Sequence, residues 1–341
     1  MNFSRRRFLD FLFNLAENIG LFSFLRYLNR NKLTVLNYHR VDNPDDSGFV
    51  SFKPNVSSNP AQFSKQMDYV KRHYSVITSA QLVRWLYGQD KLPSNPLLIT
   101  FDDGYLDNLT NAYPVLAERE LPAVIFLATE YIGKDKPFYW DYLAYLFVHT
   151  KKTSLEMPRF GDFSLLENYE REVALQEIID ILKSIPEKEK VSYLREISEK
   201  LEVSIPSDAF SNLHLNWDQV RKMRNIIEFG SHTASHPIMT RIDYSVAQNE
   251  IRNSLHKIEQ EITVAPIIFA YPNGHETDYS PEIIEMLKDA GVKAAFTLLP
   301  GLNRLKDVRE KPYEIHRIFL LHTDSFPRFI AKISGLDRWI N

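Results

Sequence analysis

Short apolar runs alternate with amphipathic segments along most of the chain. Each run is rich in β-branched or aromatic side chains and is bounded by polar or turn residues, as is typical of buried parallel strands. The runs cover residues 33–38, 74–78, 97–101, 123–128, 226–229, 267–271, 294–298 and 315–321. The segments between them, 60–73, 79–87, 106–118, 244–261 and 280–290, have helical periodicity. This alternation predicts an α/β fold, and we expect a distorted (β/α) barrel of about seven to eight strands.

The alternation of strands and helices stops between residues 140 and 212. That stretch is charged, lacks strand signals and has two amphipathic helical patterns, at 165–182 and 187–201. We interpret it as a helical insertion. The barrel is then formed by residues 33–139 and 213–341.

Residues 1–32 are basic at both ends and carry a broad apolar face, which predicts an N-terminal amphipathic helix. The opening Arg5-Arg6-Arg7 resembles a twin-arginine export signal. However, Asp10 and Glu17 interrupt the apolar core, and no small-residue cleavage site follows. We therefore favour a cytoplasmic or peripheral membrane location over export, with the helix docked on its own domain or in contact with a membrane surface.

Composition restricts the chemistry that the chain can perform. It has no cysteine and ten histidines, so thiolate nucleophiles and Cys-ligated metals are excluded, and any transition metal must be bound by histidine and carboxylate. The 41 basic and 44 acidic residues nearly balance, and this balance argues against a nucleic-acid partner.

Two adjacent carboxylates, Asp102 and Asp103, follow the apolar run that ends at Phe101. In α/β folds ligands bind beyond the carboxyl ends of parallel strands, which places both carboxylates at the mouth of an active site. An acidic turn that caps the next helix is the alternative interpretation.

A pair of histidines, His232 and His236, follows another apolar run. Histidines four residues apart can share a metal, and imidazole combined with carboxylate suits zinc or a similar divalent ion. Together with an aspartate from the Asp102-Asp103 pair they supply three ligands and leave positions open for water and substrate. Such open coordination is typical of a catalytic metal.

These motifs, TFDDGY at 100–105 and SHTASHP at 231–237, resemble those of the polysaccharide deacetylase family, carbohydrate esterase family 4, with its NodB-like homology domain. FAYPNG at 269–274 and WDQVRKM at 217–223 support the resemblance, which covers roughly residues 33–135 and 213–325.

The resemblance implies a role for each matched residue. Asp102 is the expected general base, and Asp103, His232 and His236 are the expected metal ligands. The implied reaction is metal-dependent removal of N-acetyl groups from sugars of a polysaccharide or its precursor. The implied metal is zinc, with cobalt or nickel as alternatives, and the implied partner is an N-acetylated glycan.

The chain departs from the family pattern at the third motif. Many members have an arginine there that orients the base, whereas this chain has Ala270. Arg317, beside a late strand, is our candidate to replace it. Because of this departure, a glycan-binding protein with a degenerate site stays an alternative function. A hydrolase of another linear or cyclic amide or of an O-acetyl ester also stays an alternative, as does a metal-dependent phosphohydrolase, since carboxylates and histidines build such sites too.

The general acid has more than one candidate. LNYHRV at 36–41 resembles the exopolysaccharide-modifying branch of the family, in which the strand order is permuted and the acid histidine comes first. We therefore favour His39 over His322, with His316 as a third candidate. We also expect a group of residues near the strand ends to contact substrate: Tyr105, Trp217, Tyr271, Pro272 and Asn273.

Overall fold

A computed structural model describes the backbone of residues 3–336 and the side chains from residue 9 onward. The strands are β1 (Lys32–Tyr38), β2 (Arg40–Val41), β3 (Val56–Ser58), β4 (Ser75–Val76), β5 (Pro96–Asp103), β6 (Ala123–Leu127), β7 (Ser154–Met157), β8 (Gly161–Ser164), β9 (Ile227–Ser231), β10 (Ile268–Ala270), β11 (Ala294–Phe296), β12 (Asn303–Arg304) and β13 (Ile318–Phe319). The α-helices are α1 (Phe3–Asn18), α2 (Leu21–Leu28), α3 (Pro60–His73), α4 (Ser79–Leu86), α5 (Tyr113–Glu118), α6 (Tyr139–His149), α7 (Asn168–Ser184), α8 (Glu187–Leu201), α9 (Trp217–Lys222), α10 (Tyr244–Ile262), α11 (Pro281–Asp289), α12 (Leu305–Glu310) and α13 (Phe326–Ala331). Short 3-10 turns lie at Lys53–Asn55 and Met239–Arg241, and π-helical turns at Asn108–Ala112 and Lys332–Leu336.

The main sheet is parallel in the order β11-β10-β9-β6-β5-β1, with β13 parallel to β1. The chain just before β13 also bonds to β11, because Phe296 forms a parallel bridge with Ile315. The curled sheet therefore meets itself through the segment 315–319. This arrangement confirms the α/β class and the distorted barrel.

All eight predicted apolar runs contain a strand of this sheet. Every residue of β5 is buried. A parallel strand covered on both faces needs apolar side chains on both, so its sequence is a continuous apolar run without alternation. The predicted helices between them are also present. Several begin at capping residues, such as Asn59 before Pro60 and Ser280 before Pro281.

The N-terminal segment forms two helices, where the sequence predicted one. Gly20 lies between them with φ 77°, a left-handed conformation that glycine adopts without steric cost. The pair packs on the C-terminal helix α13, where the Ser325 hydroxyl donates to Asp10 Oδ1 at 2.7 Å. Within residues 3–336, none of the helices has both the length and the hydropathy that crossing a bilayer requires.

The segment predicted as a helical insertion contains α6, α7 and α8, and also an antiparallel hairpin of β7 and β8. The hairpin corrects the prediction of helices alone. Leu155, Met157 and Phe163 are buried on one side of it, an alternation too short and too charged to stand out in the sequence. The segment has its own apolar core, which continues to Tyr105 beside the strand ends of the barrel.

Candidate functional site

Asp102 and Asp103 are the last two residues of β5, and their side chains are 2% and 1% exposed. Asp103 has φ 75° and Gly104 has φ 78°, so the backbone turns sharply as it leaves the strand. A Cβ at Gly104 would lie 2.8 Å from Ile132 and 2.9 Å from Leu127, so this turn requires glycine. The turn sends the two carboxylates into different surroundings.

Asp103 faces the two predicted histidines. His232 Nε2 lies 3.6 Å and His236 Nε2 3.4 Å from Asp103 Oδ1, and the three ligand atoms lie within 4.8 Å of one another. Ligand atoms at opposite ends of a tetrahedron edge around zinc are about 3.3 to 3.5 Å apart, given metal–ligand bonds of about 2.0 to 2.2 Å. Among residues 3–336, no group donates a hydrogen bond to the buried Asp103 Oδ1. This oxygen and the two nitrogens fit a divalent cation.

Hydrogen bonds fix the two histidines in place. The Nδ1 of His232 lies 2.8 Å from the Ala270 carbonyl oxygen, so Nδ1–H donates there and Nε2 faces Asp103. His236 has φ 63°, an uncommon conformation for a residue with a Cβ. Glu250, on α10, accepts hydrogen bonds from the backbone N–H groups of Ala234 and Ser235 at 2.9 and 2.7 Å. Glu250 thus holds the loop that carries both histidines, a role that the sequence did not reveal.

Burial disfavours the charged form of each of these three groups. Burial, with the neighbouring charge of Asp102, raises the pKa of Asp103 well above its ordinary value. Burial also lowers the pKa of His232 and lowers that of His236 strongly, so both imidazoles are neutral near pH 7. Neutral imidazoles are the protonation state that a divalent cation requires, and a bound cation would displace the proton that the raised pKa of Asp103 favours.

Asp102 has the opposite surroundings. Arg317 Nη1 donates to Asp102 Oδ1 at 2.7 Å, and Asn37 Nδ2 donates to Oδ2 at 2.8 Å. Burial alone would raise the pKa of Asp102, but the charges of Arg317, His232 and His39 outweigh it and lower the pKa. The side chain of Arg317 is also held by the Thr297 carbonyl at 2.8 Å. The arginine proposed from the sequence therefore lies against the proposed base.

Asn37 was not identified from the sequence. It lies in β1, is fully buried and, with Thr34, is one of two small polar residues in the apolar run 33–38. An isolated amide inside a buried strand needs a hydrogen-bonding partner, and this need is the signal that could have found it.

Of the three candidate acids, His39 lies at the site. Its Nε2 is 3.9 Å from Asp102 Oδ2, its side chain is 14% exposed, and burial lowers its pKa to about 4. His322 Nδ1 instead lies 3.1 Å from the Val56 carbonyl oxygen, and His322 lines a separate cavity between the insertion and the segment 44–54. The backbone N–H of His316 donates to Asn303 Oδ1. His316 lines another cavity, beside α11 and α12.

Two aromatic residues predicted to contact substrate have buried side chains, so their rings are not exposed for stacking on a sugar. Tyr105 is 0% exposed, and its hydroxyl donates to Asp141 Oδ2 at 2.8 Å and accepts from Trp140 Nε1 at 2.8 Å. Tyr271 is also 0% exposed and donates to the Tyr313 carbonyl. These hydrogen bonds link Tyr105, just after the end of β5, to α6 of the insertion. The side chain of Tyr105 therefore packs between the barrel and the insertion.

The other three predicted contact residues also have structural surroundings. Pro272 is buried, and Asn273 donates from Nδ2 to Asp278 Oδ2 at 2.6 Å in the loop after β10. Trp217 packs on the barrel core, with the Lys257 ammonium 5.4 Å from its ring centroid. The contacts of these residues give no sign that they bind substrate.

Comparisons with known proteins agree with this geometry. A family model described as polysaccharide deacetylase matches residues 89–295. The poly-beta-1,6-N-acetyl-D-glucosamine N-deacetylase of Staphylococcus aureus strain MSSA476 is 28% identical over 144 residues, which cover 40% of this chain and 47% of that protein. The enzyme of the same name from Staphylococcus epidermidis strain RP62A is 32% identical over 117 residues, 32% of this chain and 40% of that protein. The chain spans about half the length of the curated relatives that it matches.

Solved structures have the same fold. The deacetylase PplD of Streptococcus pyogenes, in complex with acetate, aligns with a TM-score of 0.58 at 16% identity, over 89% of this chain and 98% of that one. IcaB from Ammonifex degensii aligns with a TM-score of 0.55 at 19% identity, over 89% and 97%. At these identities the likeness shows a common fold.

Proposed function

Because the chain belongs to the polysaccharide deacetylase family, we propose that it is a metal-dependent hydrolase that removes N-acetyl groups from N-acetylated sugars of a polysaccharide or its precursor. One observation carries the proposal. A carboxylate and two imidazoles suited to a cation lie beside a second carboxylate that is held in its charged form. The names of the two staphylococcal relatives support an N-acetylglucosamine polymer as the substrate class.

We assign the metal site to Asp103, His232 and His236, and zinc is the metal that this ligand set favours, with cobalt and nickel as alternatives. A divalent cation bound there would polarise the acetamido carbonyl and activate a water molecule. The protein contributes the orientation of the ligands, because the Ala270 carbonyl fixes the tautomer of His232.

Asp102 is the group that we assign to proton removal from the attacking water. Arg317 and Asn37 each hold one of its oxygens, so the carboxylate cannot rotate freely and stays ionised. His39 Nε2 lies 3.9 Å from Asp102 Oδ2, and His39 is the proposed proton donor to the leaving nitrogen. Because its pKa of about 4 leaves it neutral near pH 7, it would first take up the proton that Asp102 removes from the water. Both proton transfers then occur on the same side of the site.

The position of Arg317 also bears on the alternative of a degenerate, glycan-binding site. That alternative was motivated by the missing arginine of the third motif. Arg317 supplies a guanidinium to Asp102 from the segment just before β13, and this contact supports catalysis.

Acetate release tests the proposal. The purified chain, loaded with zinc, cobalt or nickel, is incubated with poly-β-1,6-N-acetylglucosamine and with other acetylated glycans, and Asp102→Asn serves as the matched control. We expect release of acetate by the wild type and near loss of it in Asp102→Asn. Absence of acetate from every glycan, or equal release by the two proteins, would contradict the proposal.

A further inference from the structure

The helix pair α1 and α2 has one face that packs and one that does not. Phe22 is 2% exposed, and Phe13 and Leu25 pack partly buried against the same core. Hydrogen bonds add to this attachment, because Arg26 donates to the Tyr69 hydroxyl at 2.8 Å and Asn29 donates to the Ser334 carbonyl at 2.9 Å. The pair is therefore fixed on the barrel.

The outer face of the pair is apolar and exposed. We define it by the eight side chains Phe11, Leu12, Leu15, Ile19, Leu21, Phe24, Tyr27 and Leu28, which are 38% to 71% exposed. Seventeen large apolar side chains are exposed among those that the structure describes, and these eight lie within 18 consecutive residues. The other nine are scattered from Tyr87 to Val264. Scattered apolar residues are ordinary on protein surfaces, whereas a contiguous patch marks an interaction surface.

Charge distinguishes this segment from the remainder of the chain. Residues 1–32 contain six basic and two acidic residues, although the whole chain has 41 basic and 44 acidic residues. Three of the basic residues, Arg5 to Arg7, lie in the first half of α1, and Arg30 and Lys32 follow α2. A positive segment with an apolar face is complementary to a bilayer with anionic headgroups.

We propose that the outer face of α1 and α2 docks on the surface of a bilayer that contains anionic lipids. The helices lie in the interfacial region, since none of those described spans a membrane. This inference does not depend on the deacetylase activity, because the outer face and the Asp103 site share no residue.

The connection to the barrel orients the active site relative to the bilayer. The pair is joined to the amino end of β1, and His39 follows the carboxyl end of that strand. A seven-residue strand is about 20 Å long. Docking through α1 and α2 therefore holds the site at the opposite end of β1 from the helix pair.

Vesicle co-sedimentation with the full chain tests this inference. The probes are vesicles of phosphatidylcholine with and without phosphatidylglycerol. We expect binding to the anionic vesicles that weakens as salt rises, and the double variant Ile19→Ser, Phe24→Ser is expected to bind at least about tenfold more weakly. Tyr169→Ser, Tyr244→Ser is the matched control, because those residues are 75% and 61% exposed elsewhere, and it should bind like the wild type.

Each possible result of this experiment either supports or overturns docking on the bilayer. Failure of the wild type to bind anionic vesicles would overturn the inference, as would equal binding by the two double variants. Self-association that Ile19→Ser, Phe24→Ser abolishes, without vesicle binding, would assign the face to a second copy of the chain and reject the bilayer. The single variant Leu28→Ser controls for misfolding of the double variant. We expect it to bind anionic vesicles more weakly than the wild type and to have the same melting temperature. Acetate release by both double variants in solution should match the wild type.

Discussion

The candidate site consists of two neighbouring clusters whose buried carboxylates have opposite surroundings. The Asp103 cluster (Asp103, His232 and His236) leaves a buried oxygen without a hydrogen-bond donor among residues 3–336. The Asp102 cluster (Asp102, Asn37, His39 and Arg317) surrounds its carboxylate with donors at 2.7 and 2.8 Å. Both aspartates are almost fully buried, so burial alone cannot explain why the pKa of one is raised and that of the other lowered.

The difference shows how two identical side chains acquire different tasks. A buried carboxylate without donors is costly, and a bound cation removes that cost. A buried carboxylate with a guanidinium and an amide is already compensated, so it stays ionised and available to accept a proton. Substitution of each aspartate by asparagine should therefore affect metal binding and stability in different ways.

Asp103→Asn should have the largest effect on activity. The amide is a poor ligand in place of the carboxylate, so we expect the metal to be lost and acetate release to fall by at least about 10³-fold. Without metal, the variant should melt at or above the temperature of the wild type, because it removes a buried and uncompensated charge. Metal content after dialysis, acetate release and melting in the presence of a chelator are the measurements. A metal-free variant that melts well below the metal-free wild type would contradict our account of Asp103.

Asp102→Asn should lower turnover strongly and keep the metal. Loss of the proposed base should lower kcat by roughly 10²- to 10⁴-fold. The substitution also leaves Arg317 buried without its anionic partner, which is expected to cost about 3–5 kcal/mol of unfolding free energy. Metal stoichiometry near that of the wild type, with a lowered melting temperature, is the expected combination. Loss of metal in this variant would mean that the two clusters are not separate in function.

The sequence predicted these carboxylates and histidines because each follows a continuous apolar strand, and the barrel brings such strand ends together. Position after an apolar run could not separate His39 from His322, since both follow such runs, and the preference for His39 came from the resemblance of 36–41 to one branch of the family. Their positions differ only in three dimensions, where His322 bonds to the Val56 carbonyl on β3. The burial of Tyr105 was hidden for a related reason, because an aromatic residue beside a motif looks the same in sequence whether it is buried or exposed.

Other parts of the structure had no readable signal in the sequence. The strands β2, β3 and β12 are two or three residues long, too short for a periodic pattern. Glu250 lies on an amphipathic helix among other charged residues, and only the fold shows that it accepts hydrogen bonds from the loop of His232 and His236. What remained unpredicted thus depends on contacts between residues far apart in the chain.

His39 and His322, two of the three candidate acids, offer a sharper test of the Asp102 cluster. His39→Gln should lower kcat by about 10²-fold, because His39 lies near Asp102 Oδ2 and can donate a proton at the site. His322→Gln is the matched control and should leave kcat within about twofold of the wild type. His322 Nδ1 bonds to the Val56 carbonyl and not to a group of the Asp102 cluster. Steady-state kinetics of acetate release measure both. A reversed order of the two effects would reassign the acid to His322.

The smallest effect that we expect is that of Arg317→Lys, which keeps the charge beside Asp102 and removes the planar guanidinium. Arg317 contacts both Asp102 Oδ1 and the Thr297 carbonyl, a geometry that a single ammonium reproduces poorly. We expect kcat to fall about tenfold with KM and metal content unchanged, because the lysine keeps Asp102 ionised but leaves it less well oriented. Arg328→Lys, a change at another buried arginine, which lies on α13 beside Asp10, controls for the substitution itself and should not alter kcat. If Arg317→Lys also lost metal, the arginine would serve the Asp103 cluster as much as the base, and the division between the two clusters would have to be abandoned.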